Sequence, residues 1–351
     1  MFALVVCFIS SKSLANEDAV ISLFEDDPQI NNKQQENEQI DEDKESFFSF
    51  MNFKLPDVDF SSKKEKPKTK EDIIELADNG DLQSQLILGY SYLYGDKGLN
   101  VDYQKSFEYY GKAALQNDPV GLNNLGSLYY GGIGVKRSSA KAASLFRKAA
   151  ALGNHDAAIN IGFMHASGNG AKKDIEAALK YFEAALPAKS PAANFMLGYA
   201  YYVGKYREQD YAKAASLIKE AADAGFDEAQ IVVADMYIKG VGFPQSYAHG
   251  VSYLQKAISQ GSTRAMMTLA DILIEGKKYT KDIHYAHVLY NLSSVRGVPS
   301  AAQKRDGVEA NMKIEEILMA QERAGKYKET ISEMSNYIRK TYGKNITSYF
   351  N

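Results

Sequence analysis

The chain has 351 residues, with 41 Lys plus Arg against 44 Asp plus Glu, and a formal net charge of −3. With no basic stripe to go with that near-neutral balance, nucleic acid is not an expected partner. One cysteine, Cys7, leaves no intramolecular disulfide and removes cysteine-based metal sites and catalysis.

Residues 1–15 read as a secretory signal peptide. Phe2 to Ile9 is an apolar run, and Ser13-Leu14-Ala15 is a small-x-small cleavage site, so cleavage is expected after Ala15. The run is far shorter than the ~20 apolar residues that span a bilayer. The mature chain is therefore expected in the periplasm or outside the cell, with no stable membrane span. Cys7 would leave with the signal, and it lacks the small residue before it that a lipoprotein box requires. The competing reading is an apolar N-terminus that is retained.

Residues 16–70 read as a disordered charged linker. Segment 16–60 carries 13 acidic and 3 basic residues, and 61–70 carries five Lys and one Glu. Such a stretch buries too little apolar surface to offset chain entropy. Inside it lies Phe47-Phe48-Ser49-Phe50-Met51-Asn52-Phe53, four phenylalanines in seven residues. This segment is a candidate for docking on a partner or on the chain's own groove.

From residue 71 to about 300 the chain repeats. Gly89, Gly126, Gly162 and Gly198, then Ala234 and Ala270, recur at steps of 36 or 37 residues. Each follows an apolar residue, and six positions later comes a second glycine: Gly95, Gly132, Gly168, Gly204, Gly240 and Gly276. Leu122, Leu125 and Tyr129 lie at helical spacing before the breaker Gly131-Gly132-Ile133-Gly134, and a second helix follows over 140–150. A fixed period of this length marks stacked helix pairs, since one pair cannot bury both of its faces.

The Leu-Gly-x-x-Tyr cores (Leu88-Gly89 with Tyr92, Leu125-Gly126 with Tyr129, Leu197-Gly198 with Tyr201) carry a resemblance, together with the turn Gly132-Ile133-Gly134-Val135 and the second-helix Ala-Ala pairs. The pattern resembles the Sel1-like repeat family, close kin of the tetratricopeptide repeat. The resemblance implies an all-α, right-handed α-solenoid of about six helix-turn-helix repeats over 71–300. His165 and Leu273 depart from the tyrosine column, and Pro187 and Pro191 predict a local kink in the third copy.

Residues 301–351 read as a helical cap. A polar outer face is what the last repeat of a stack requires. Ile331, Met334, Tyr337 and Ile338 predict a final amphipathic helix to about Thr341.

No catalytic, cofactor-binding or metal site is expected. His284 and His287 stand three apart, without a zincin-type Glu or an evident third ligand. The Gly131–Gly134 run follows a helix and is not trailed by Lys-Ser/Thr, unlike a phosphate loop. Asp235 and Asp271 are equivalent repeat positions, not a carboxylate pair. The expected partner is a protein or peptide, bound by a monomer. In tetratricopeptide-like stacks the first helices line the concave face, which points to the columns beside the core glycine. The candidate partner-binding residues are Tyr90, Asn124, Ser127, Asn160, Phe163 and Tyr199. An amide clamps a backbone through both donor and acceptor, and an aromatic ring supplies anchor area. The roles implied by the resemblance are an adaptor of the bacterial envelope, an accessory or regulator of a cell-wall enzyme or envelope sensor, or a secreted host-interaction factor.

Overall fold

The computed structural model describes residues 69–332 and Ser335. The residues expected to form a signal peptide, the expected linker up to residue 68 with its Phe47–Phe53 segment, and most of the expected final amphipathic helix lie outside the described residues. Among the described residues all regular structure is helical, in fifteen α-helices and one 3-10 turn. The chain divides into two compact units, residues 1–188 and 189–351.

The first unit holds α1 (Lys70–Asp78), α2 (Leu82–Tyr94), α3 (Tyr103–Leu115), α4 (Pro119–Gly131), α5 (Ser139–Ala151), α6 (His155–Ser167) and α7 (Ile175–Ala184). The second holds α8 (Pro191–Val203), α9 (Tyr211–Asp223), α10 (Asp227–Lys239), α11 (Tyr247–Ser259), α12 (Thr263–Glu275), α13 (Ile283–Val295), α14 (Pro299–Glu309) and α15 (Ile314–Gly325). Even-numbered helices from α2 to α12 are the first helices of successive pairs, and each packs on the odd-numbered helix that follows it.

Local chemistry sets these lengths. Asp81, Asp102, Asp118, Ser138, Asn154 and Asp174 each accept a backbone N–H at a helix start, and Asp210, Ser246, Ser262 and Asp282 repeat the device in the second unit. First helices end in a left-handed glycine, such as Gly132 at φ 68°. Two residues on, Gly134 is also left-handed (φ 67°), and a Cβ there would lie 2.1 Å from the Tyr103 carbonyl oxygen. The turn of one repeat therefore touches the backbone of the preceding second helix, an approach only glycine permits.

The core glycines mark where the two helices of a pair meet. A Cβ at Gly89 would lie 2.7 Å from the Tyr110 ring, at Gly126 2.9 Å from Phe146, at Gly162 2.8 Å from Phe182 and at Gly198 2.7 Å from Ile218. Ala234 takes this column in the fifth pair, where the facing helix carries Leu254 in place of a ring and Gly250 in place of alanine. The third pair differs. Its second helix does not kink at the prolines but stops at Ala184. Pro187 sits in the 3-10 turn Leu186–Ala188, and Pro191 occupies the first turn of α8, where its missing N–H costs nothing.

Beyond the sixth pair, α14 packs on α13, and α15 also returns to α13. The expectation of a polar outer face needs correction, because α15 exposes Ile314 (74 %), Leu318 and Met319. Residues 327–332, which include Ile331, are not helical. They form a strap held at the ends of α9, α11 and α13.

Candidate protein-binding surface

In the first unit the asparagines of α4 and α6 form a chain of amides. Asn160 Nδ2 donates to Asn123 Oδ1 at 3.1 Å, and Asn123 Nδ2 donates to Asn124 Oδ1 at 3.2 Å. Asn124 is 1 % exposed. Its amide faces the buried Tyr110 hydroxyl, whose ionisation burial pushes well above the usual range, with Asn124 opposing that shift. Asn123 was not singled out in the sequence, yet it is the link between Asn160 and Asn124.

Ser127 is also buried, and its hydroxyl donates to the Asn123 carbonyl one turn back at 3.0 Å. Phe163 is buried edge-on against Phe182, with ring centroids 5.0 Å apart. Asn124, Ser127 and Phe163 therefore correct the expectation of an open contact surface: they are packing residues. The physical reason is that a first helix touches its own second helix, the preceding second helix and the next first helix, so little of its circumference reaches water.

Tyr90, Asn160 and Tyr199 remain half-buried. Tyr90 packs on Tyr94 with centroids 4.7 Å apart, and in the second unit Tyr199 stacks on Phe195 at 5.7 Å. These three present amphipathic or amide edges next to a packed core, the chemistry of a recognition surface.

The other polar groups engage one another as structural sets. Asp235 accepts from Tyr202 and from Lys239, each at 2.8 Å. Asp271 accepts from Tyr290 at 2.6 Å and from Lys304 at 2.6 Å. Asp223 accepts from Tyr253 at 2.7 Å and from Lys219 at 2.5 Å. Burial and the Asp223 hydrogen bond push the Tyr253 phenol up to about 12. Asp235 and Asp271 thus belong to separate Tyr–Asp–Lys clusters.

His284 and His287 also part company. His287 is fully buried with Nε2 2.7 Å from Glu309, whereas half-exposed His284 faces Glu316 at 3.3 Å. The reading of two solvated histidines holds only for His284. His165 stacks on Tyr181 with centroids 5.7 Å apart. Among the described residues no group of three or more His, Cys, Asp or Glu is placed to hold a metal ion. No described helix is long and apolar enough to cross a membrane.

Stacked helix pairs with partly covered residues such as Tyr90, Asn160 and Tyr199 on their first helices form a helical-repeat module. The chain belongs to the Sel1 repeat family, whose model matches residues 82–118, 119–154, 155–186, 191–226 and 227–262, together about half of the chain. The sixth pair, α12 and α13, continues the architecture beyond the matched copies. Sel1 repeats generally mediate protein–protein interaction, and proteins of the family are typically non-catalytic.

Solved structures that share the fold include two Sel1-type repeat proteins. One is c5321, a protective antigen present in uropathogenic Escherichia coli strains, with 23% identity and a TM-score of 0.63 over 77% of this chain and 62% of that one. The second is a Sel1 repeat protein from Oxalobacter formigenes, with 24% identity and a TM-score of 0.54 over 64% of this chain and 91% of that one. The chain thus spans less than two thirds of the Escherichia coli protein. No curated protein matches the chain in sequence.

Proposed function

We propose that this chain is a non-enzymatic adaptor of the bacterial envelope that binds a protein or peptide partner along the first-helix faces of its repeats. The observation that carries the proposal is the division of labour within each pair. The glycine column, the caps and the Tyr–Asp–Lys clusters are committed to packing, while Tyr90, Asn160 and Tyr199 offer varied, partly accessible chemistry. The signal-like residues 1–15 support an exported address, periplasmic or secreted. The specific envelope roles named above remain specialisations of the same binding activity. Co-purification from the native envelope, comparing the full chain with a Tyr90→Ala, Asn160→Ala, Tyr199→Ala variant, tests the proposal. A partner lost by a variant that melts like the wild type supports it. A partner retained by that variant moves the site elsewhere.

A further inference from the structure

The strap of the second unit occupies a well-defined seat. Gln260, which follows α11, donates through Nε2 to the Gly225 carbonyl at 3.1 Å and to Gln230 Oε1 at 3.0 Å, and Gln230 donates to the Ala222 carbonyl at 3.2 Å. The strap reads this frame. The Ser332 N–H donates to Gln260 Oε1 at 3.0 Å and its hydroxyl to the Gly225 carbonyl at 2.6 Å. The Thr330 N–H donates to the Ser259 carbonyl at 2.7 Å. Three residues before Ser332, Glu329 lies over Gly261 and accepts from Arg296 Nε at 2.8 Å.

The same frame exists in the first unit. Gln116, which follows α3, donates to the Gly80 carbonyl at 3.1 Å and to Gln85 Oε1 at 2.8 Å, and Gln85 donates to the Ala77 carbonyl at 3.0 Å. The other repeats place Leu122 and Leu152, Ala158 and Ala185, Asn194 and Ala224, or Met266 and Arg296 at the two glutamine positions. Gln260 is 4 % exposed beneath the strap, whereas Gln116 is exposed. Among the described residues nothing comes within 4 Å of a Cβ built on Gly80, whereas one on Gly225 meets Ser332 at 3.2 Å.

We infer that the Gly80–Gln85–Gln116 frame is a second peptide-binding site, separate from the first-helix faces. Its ligand is an extended peptide from a partner protein, seated as residues 327–332 are seated in the second unit. The rim residues specify that ligand. Leu152 (52 % exposed) stands where the second unit has Arg296, and Leu115 (40 % exposed) stands where it has Ser259. Asn117 replaces Gly261, and a Cβ at Gly261 would lie 2.5 Å from the Glu329 carboxyl carbon. A long acidic residue is therefore excluded by bulk and left without its guanidinium. A short apolar residue such as valine fits against the two leucines, with a Ser or Thr three positions later donating to the Gly80 carbonyl. Asp81 caps its own helix by accepting from the Ser84 N–H at 3.0 Å, so no counterpart of Ser335 is required. The chain's own 327–335 segment carries Glu329 and is disfavoured, which selects a partner peptide over the tail of a second copy.

The test uses two synthetic peptides corresponding to residues 327–335, one unmodified and one carrying Glu329→Val, titrated onto the full chain. The valine peptide is expected to bind at least about tenfold more tightly than the unmodified one, and Gln116→Ala to weaken it by about tenfold. Leu152→Arg, which restores the guanidinium but leaves Asn117 in place, is expected to narrow the preference for the valine peptide. Gln260→Ala is expected to leave valine-peptide binding unchanged. Gln116 and Leu152 are exposed, and unchanged melting of their variants separates loss of binding from loss of fold. Absence of saturable binding overturns the inference, as does binding insensitive to both Gln116→Ala and Leu152→Arg. Binding lost only in Gln260→Ala also overturns it, by assigning the peptide to the seat of the strap.

Discussion

The sharpest consequence of the packing is that one substitution should have opposite signs at two helical glycines. Replacing glycine by alanine inside a helix gains about 1 kcal/mol from backbone entropy alone. At Gly307 of α14 nothing lies within 4 Å of the new methyl group, so Gly307→Ala should stabilise by up to about 1 kcal/mol. At Gly126 the methyl group would stand 2.9 Å and 3.0 Å from two carbons of the Phe146 ring and 3.3 Å from the Leu145 Cβ. Phe146 is 1 % exposed and Leu145 fully buried, so neither has space into which to withdraw. Overpacking of this kind costs about 1–3 kcal/mol. Gly126→Ala should therefore fall below Gly307→Ala in stability by about that amount. A Phe146→Leu partner change, copying the Ala234–Leu254 pairing of the fifth pair, should recover part of the loss. Urea unfolding by circular dichroism, with hydrogen exchange of the α4 and α5 amides, reads the effect. Equal stabilisation by the two alanines would refute the close-approach account of the glycine column.

Three further outcomes follow from named contacts. Ser335→Ala should cost about 0.5–2 kcal/mol locally, because Phe226 offers α10 no side-chain cap and the Asp227 N–H donates to Ser335 Oγ at 2.9 Å. Faster exchange of the Asp227 amide with α4 unaffected is the expected readout. Phe182→Ala should cost about 3–5 kcal/mol, since the ring is fully buried against Gly162 and Phe163, and unfolding midpoints measure it. For Asp223, burial raises the pKa, but the hydrogen bonds from Lys219 and Tyr253 outweigh it and the pKa is lowered. A carboxylate with a depressed folded pKa contributes stability that is present above its unfolded value of about 3.9 and is lost as pH falls through the folded value. The stability gap between wild type and Asp223→Asn should therefore be wide at neutral pH and shrink in acid. A gap that does not change with pH would contradict the assignment.

Much of the fold was legible because its determinants are local and repeated. The Gly89-to-Ala270 column, the second glycines and the Asp, Ser or Asn residues before most of the repeat helices report helix crossing, termination and start within a few residues of themselves. The α7 stop was half legible: Pro187 and Pro191 announced an interruption, but ending the helix at Ala184 costs less than bending it. The binding face was read less well. Asn124, Ser127 and Phe163 vary between copies, as surface residues do, but variation also follows from neighbouring packing partners that vary, such as Tyr110 against Asn124 and Phe182 against Phe163. The Gln85–Gln116 and Gln230–Gln260 frames left a usable signal, a glutamine pair recurring 144–145 residues apart. The strap left almost none, because its contacts join Ser332 and Ser335 to Gly225 across more than 100 residues.

The most direct test of the central claim is site-specific photo-crosslinking in the native envelope. A photoreactive residue is placed singly at Tyr90, Asn160 and Tyr199 on first helices, and at exposed Tyr211 and Val295 on second helices. The account predicts a discrete protein adduct at the first-helix positions and none at the second-helix controls. Adducts confined to Tyr211 and Val295, or equal at all five positions, would contradict it.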